Sequence, residues 1–400
     1  MKPATAPRSA RELRILVVDA TSGVQGIEPS TALPALLRSG DLVVVNDAAT
    51  LPASLGARTR SGDVVELRLV GAIDPTAAAV RFTVALLGSG DHHTRTEDRP
   101  LPPRVEVGDV LAIGTELRAA VIAISKISAR LVDVELTTTA EGTVDAVAQD
   151  RIWSAIYRAG KPVQYAHVPA PVALWDVQNA WAGRPWAVEM PSAGRALRID
   201  TILELRRRGI EIAFITHAAG LSATGDPAID ACLPLPERFE VREAAARAIA
   251  RTKARGGRVI AIGTSVVRAL ESAARFGPDA AAGASGREPS AASGITSLLL
   301  TPMTQRLVVD AVLTGVHESD TTHFTLLRAF AGRDVLDGAL DRAERDGLLE
   351  HEYGDAWLVW GKPRADATRV VAQRELVSRA EARGGSSASS SCARSATFAT

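Results

Sequence analysis

The turn Gly263–Thr264–Ser265 follows an apolar run and opens a helical pattern, an arrangement whose backbone N–H groups and hydroxyls could receive a phosphate or carboxylate. Gly263 permits the close backbone approach that such a turn needs. Thr264 or Ser265 could equally cap the helix, so the turn has a structural reading beside the chemical one. One helical turn on, the planar fork of Arg268 could clamp a carboxylate or phosphate or merely face solvent, and the packed look of Val267, Ala269 and Leu270 around it favours the clamp. His217 and His317 stand at the ends of apolar runs and not on apolar faces. Imidazole exchanges protons near neutral pH, which makes both candidates for catalysis or ligand binding. Asn46 and Asp47 end a further run, DLVVVND. In EMPSAGRALRID, Pro191, Ser192 and Gly194 form a turn before a helix, which is either an anion-holding helix N-terminus or a plain turn. His323, at the start of another helix, has a structural reading. The adjacent His92 and His93 lack further ligands at metal-binding spacing and read as an exposed loop. No metal constellation, spaced triad, phosphate-binding loop or dinucleotide fingerprint occurs.

Positioning these groups requires strands whose carboxyl ends share one edge. The runs RELRILVVDA and DLVVVND read as strands, the second buried on both faces. From Val144 onward AVAQDRIWSAIYRAG reads as an amphipathic helix, and a stretch rich in Pro and Trp follows from Lys161 to Pro191. Helix RIDTILELRRRG then leads to strand IEIAFITH, and helix VREAAARAIARTKARGG leads to strand RVIAIGTSV and helix VVRALESAARFG. A Gly/Ala/Ser-rich linker near 278–293 precedes strands near ITSLLL and RLVVDAVLTGVH, helices THFTLLRAFAG and LDGALDRAERDG, and strand DAWLVW. Alternating strands and helices predict an α/β fold with a largely parallel sheet, whose ligands bind outside the strand carboxyl ends.

Between Arg58 and Thr139 the texture differs. Short runs such as VVELRLV, VRFTVALL, DVLAIG and ARLVDVELT, punctuated by Gly, Asp and Pro, predict a small β-barrel or sandwich inserted in the body. The expected division is a discontinuous α/β body over 1–57 and 140–383, an inserted barrel over 58–139 and a disordered small-residue tail over 384–400.

Composition narrows the classes. With 400 residues and 46% hydrophobic content, two domains can fold without covalent staples. Only Cys232 and Cys392 are present, too few for a disulfide framework or a four-cysteine zinc site. There is no signal-peptide pattern and no apolar run of membrane-spanning length, so a cytoplasmic protein is expected. Acidic and basic residues balance at 46 each, so no global field draws the chain to nucleic acid. The clusters Arg206–Arg208 and Arg251, Lys253, Arg255 and Arg258 read as solvated helix ends, with phosphate contact as the alternative.

Taken in order, DLVVVNDAATLPASL, MPSAGRAL, RRRGIEIAFITHAAG, AIARTKARGGRVIAIGTSVVRALESA, DAVLTGVHESDTTHFTLLRAFAG and EYGDAWLV resemble the S-adenosylmethionine:tRNA ribosyltransferase-isomerase family of queuosine biosynthesis. That resemblance implies an α/β body with an inserted β-barrel. It also implies S-adenosylmethionine as co-substrate, no metal, and transfer of its ribosyl part to a 7-aminomethyl-7-deazaguanine base in tRNA, with adenine and methionine leaving. Under it His217 and His317 would move protons, Thr264, Ser265 and Arg268 would hold the methionine carboxylate or the nucleoside, and Asn46, Asp47, Ser192, Gly194 and Gly263 would complete the binding site. A monomer acting on tRNA is expected. The chain departs from the family pattern at Ala48, Ala49, Ser54, Arg195, Ala196, Gly315 and Val316, and in KPVQYAHVPAPVALWDVQ, where Gln164, Tyr165 and His167 could supply replacement contacts. These departures keep two other readings open, a paralogue with a non-tRNA acceptor and a non-catalytic ligand-binding protein.

Overall fold

The computed structural model describes residues 1–73, 79–139, 146–277, 290–319 and 321–363. The expected tail lies outside these residues, as does most of the expected linker.

Nine strands form the main sheet, in the order Ala292–Thr296, Glu237–Val241, Glu211–His217, Leu42–Asn46, Val259–Ile262, Ala311–Gly315, Ala356–Trp360, Arg14–Asp19 and Gly23–Pro29. Its centre, from Glu211–His217 to Ala311–Gly315, is parallel throughout. Both edges are antiparallel, and one further parallel pair joins Ala356–Trp360 to Arg14–Asp19. Parallel strands need helical crossovers on their faces, which is why the central strands read as unbroken apolar runs. Successive side chains then point to opposite layers. Leu42 and Val44 join one core, with the helices Glu243–Ala254 and Thr264–Phe276. Val43 and Val45 join the other, with Leu33, Leu37, Ala196 and Leu205.

The β-rich region is a closed antiparallel barrel of Ser54–Arg58, Val64–Ile73, Val80–Leu87, Val110–Ile113, Leu117–Ile124 and Leu131–Thr138. Closure removes the free edges that short strands would otherwise expose. Helix Ala146–Ala159 lends Ile152, Ala155 and Ile156 to the barrel core. Two barrel strands, SLGAR and LRAAVIAI, are additional to the runs singled out in the sequence; each carries small residues that weaken a strand pattern.

The basic clusters sit at helix C-termini, where cations suit the helix dipole. Arg207 and Arg208 pair with Glu204, Arg251 with Glu211, and Arg258 with the buried Asp41. Among the described residues no helix is long and apolar enough to cross a membrane.

Candidate active site

Four neighbouring strands, in the order Glu211–His217, Leu42–Asn46, Val259–Ile262 and Ala311–Gly315, end along one edge, and Asn46 ties the ends of the first three together. Its Nδ2 donates to the His217 carbonyl at 2.9 Å and approaches Ser265 Oγ at 3.4 Å. Its Oδ1 accepts from the backbone N–H of His217 at 2.9 Å and of Ala48 at 3.0 Å. Asp47 accepts from Thr216 Oγ1 at 2.5 Å and pairs with Arg242. Both residues are buried, so they act as clamps on the strand ends.

Gly263 itself caps the helix Thr264–Phe276, at φ 100°, a left-handed value that favours glycine. Neither Thr264 nor Ser265 is therefore used as the cap, and both hydroxyls stand half-buried at the positive end of a 13-residue helix. A Cβ placed on Gly263 would lie 3.5 Å from Ala193 Cβ, which puts the Pro191–Gly194 turn directly against it. That turn is part of a separate short 3-10 segment, Ser192–Ala196, and not the first turn of helix Ile199–Arg207. A Cβ on Gly194 would lie 2.6 Å from the Asn179 amide, which would have to shift to admit a side chain.

His217 was expected at an open rim. Its ring is instead fully buried, with both nitrogens lacking a hydrogen-bond partner and Nε2 3.4 Å from Glu237 Oε2. The reason is local: its strand end is covered by the antiparallel neighbour Glu237–Val241. Glu237 also pairs with Arg268 and accepts from Gly220 N–H at 2.7 Å. Arg268 is buried, donates from Nε to the Leu298 carbonyl at 3.0 Å, and keeps Nη2 without a partner. Burial and the Arg268 charge hold the His217 pKa well below the ordinary histidine value.

His317 is half-buried; its Nε2 lies 2.8 Å from Thr314 Oγ1, and its ring stacks on His323 with centroids 4.6 Å apart. Burial, reinforced by neighbouring imidazoles, also lowers its pKa well below the usual value. A narrow cleft with solvent-accessible room of about 30 Å³ is lined by Thr50, Gln164, Tyr165, His167, Glu189 and Glu352 among others. His351, the one described non-glycine residue at positive φ, stacks on His167 at 4.4 Å, and His167 Nε2 is 3.0 Å from Glu352. The clustering of His167, His351 and Glu352 is accounted for by that hydrogen bond and ring stack. Asp91, His92 and His93 also bring ligand atoms together, on an exposed loop.

The buried histidines predict acid lability. Below pH 6.5 the unfolded chain protonates them while the folded chain keeps them neutral, so the unfolded state binds more protons and stability falls with pH. His217 alone contributes up to about 1.4 kcal/mol per pH unit. Urea unfolding at pH 7 and pH 5.5 should show the midpoint dropping. Equal midpoints would mean that the ring ionises freely in the fold.

The family model for queuosine biosynthesis proteins matches residues 2–359. The chain belongs to this family. It is 33% identical over 377 residues to the S-adenosylmethionine:tRNA ribosyltransferase-isomerase of Sorangium cellulosum, covering 89% of this chain and 94% of that one. It is 31% identical over 335 residues to the enzyme of the same name from Thermus thermophilus, covering 82% and 86%. The crystal structure of S-adenosylmethionine tRNA ribosyltransferase from Thermotoga maritima is similar at 20% identity and TM-score 0.44, covering 90% of this chain and 95% of that one.

In this queuosine biosynthesis family member several site-forming residues escaped the sequence reading. Glu237 lies in the alternating run ERFEV, a strand signal that was present but weak. Trp181, which donates to the Asn46 carbonyl at 2.9 Å, and Asn179, which donates to the Pro191 carbonyl at 3.0 Å, come from the irregular segment rich in Pro and Trp. Arg195, at a position where the chain departs from the family pattern, covers the Tyr353 ring at 4.7 Å and donates to the Asp176 carbonyl at 3.0 Å. Glu189 had no local signal beyond its place before the turn. Gln164, Tyr165 and His167 all line the cleft.

Proposed function

We propose that this chain transfers the ribosyl part of S-adenosylmethionine to a 7-aminomethyl-7-deazaguanine base in tRNA, with isomerisation of the sugar to an epoxycyclopentane and release of adenine and methionine. The observation that carries this reading is the Asn46 bridge, which brings His217 and the Gly263–Ser265 turn to one edge. The names of the relatives support the same substrates.

Each group then has a duty. Thr264 and Ser265, at the positive helix end, receive the methionine carboxylate, and Arg268, buried one helical turn on, adds its positive charge to that end of the site. Asn46 and Asp47 fix the edge, while Ser192, Gly194 and Gly263 shape the wall facing the nucleoside. His317, neutral and half-buried, accepts the proton from the acidic carbon beside the sulfonium. His217, sealed beneath Glu237, is placed in proton transfer as a positioning residue acting through Glu237 and Arg268. No metal enters this scheme. We further propose that the expected body and insert act as two domains of a cytoplasmic monomer, with the insert starting at Ser54, where the barrel's first strand begins, ahead of the expected 58.

Incubation with S-adenosylmethionine and tRNA bearing the aminomethyl base should release adenine in proportion to modified tRNA. Binding of that tRNA should weaken as salt rises, since phosphate contacts release counterions. Adenine release without tRNA modification would shift the acceptor to another molecule, and absence of adenine would remove the activity.

A further inference from the structure

Glu189 lies just before the Pro191–Gly194 turn and lines the cleft with Tyr165 and Glu352. Its Oε1 is saturated: it accepts from the Tyr165 hydroxyl, from Ser222 N–H at 2.8 Å and from Ser222 Oγ at 3.2 Å. Its Oε2 accepts from no described group and is not among the sealed, unpartnered atoms of the fold. A carboxyl group held this way carries its proton on the open oxygen. When the proton leaves, three donors are already aimed at the anion that remains.

The charged and titratable groups facing it come from several elements. Arg68 of the barrel lies over the Tyr165 ring, 5.4 Å from its centroid, and its charge is felt at Glu189. Tyr165 and Ser222 hold Oε1. Glu352, fixed by His167, repels Glu189 within the same cleft.

Building on the activity proposed above, we propose that Glu189 is the acid that protonates the purine as it leaves S-adenosylmethionine, with Tyr165 and Ser222 as its positioning residues. The glycosidic C–N bond breaks and its electron pair goes to the purine nitrogen. The O–H proton of Glu189 moves to the purine, the carboxylate remains under its three donors, and a solvent proton restores the acid. Histidine is poorly suited to this step here, since His217 and His317 are held neutral and have no proton to spare at pH 7. Burial and the Glu352 charge push Glu189 up to about 7, whereas the His167 hydrogen bond helps to hold Glu352 below its ordinary value. Two carboxyl groups driven apart by their surroundings divide acid from base.

The test compares wild-type enzyme with Glu189→Gln, Glu189→Asp and Tyr165→Phe, using S-adenosylmethionine and an analogue carrying a less basic purine, both with the aminomethyl-bearing tRNA. Glu189→Gln should bind S-adenosylmethionine normally by calorimetry but release adenine about 10²–10⁴-fold more slowly. The analogue, which needs less protonation, should recover about tenfold or more of that deficit, and Glu189→Asp should be intermediate. Wild-type turnover should fall as pH rises through about 7, because the acid form is then lost. Tyr165→Phe should move that fall to higher pH, since the hydroxyl's hydrogen bond favours the carboxylate. An unchanged rate in Glu189→Gln, or an equal deficit with both purines and an unaltered pH profile in Tyr165→Phe, overturns the assignment while leaving the activity standing. Wild-type enzyme that releases no adenine overturns the activity, and this role with it.

Discussion

Replacing Arg268 with alanine is expected to destabilise the protein by about 3–5 kcal/mol and to abolish adenine release. The guanidinium is buried against Glu237, and Gly220 and the His217 ring adjoin the same carboxylate. Truncation would leave that carboxylate buried without its cation, which costs more than the pair contributes. The Leu298 carbonyl would lose its donor as well. The pair variant Arg268→Met/Glu237→Leu should therefore regain much of the stability and none of the activity. Urea unfolding measures the first quantity and adenine release the second. A single variant as stable as the parent would show that Glu237 is not held by this partner.

Asn46→Ala is expected to be the second most damaging change. It removes two hydrogen bonds to the buried backbone of His217 and strips the Ala48 N–H of its acceptor. Leaving such groups unpaired costs about 1–3 kcal/mol each, so a loss of about 2–4 kcal/mol is expected after partial relaxation. Because the same side chain spans from His217 to Ser265, turnover should fall by about a hundredfold or more even where the protein is folded. Turnover within about twofold of wild type at a temperature well below the melting transition would show that the two strand ends keep their spacing without the bridge.

The elements that sequence reveals best here are those whose pattern and environment coincide. Leu42–Asn46 and Val259–Ile262 are buried on both faces and carry unbroken apolar runs, so their polar ends stood out at once. The barrel was legible because its alternation is regular and its turns are marked by Gly and Asp. What could not be read is partnership. Nothing near residue 237 announces that its carboxylate will meet Arg268, because that encounter depends on the register of two antiparallel edge strands beside a parallel centre. For the same reason His217 looked open: a strand end is exposed or covered according to its neighbour, and the neighbour ERFEV is short and half polar. Glu189 and Tyr165 belong to stretches without periodicity, where only folded coordinates place one side chain against another. Arg195 and Gly194 were visible as residue types, yet the ring that one covers and the amide that crowds the other lie in distant segments.

The position of strand Ala356–Trp360 bears on how the chain is made. It stands between Ala311–Gly315 and Arg14–Asp19, so the hairpin formed by the first thirty or so residues reaches the main sheet only through a segment translated more than three hundred residues later. On the ribosome that hairpin must wait, unpaired on one side, until residue 360 has cleared the exit tunnel. Without Ala356–Trp360 the hairpin would have no strand partner joining it to the main sheet.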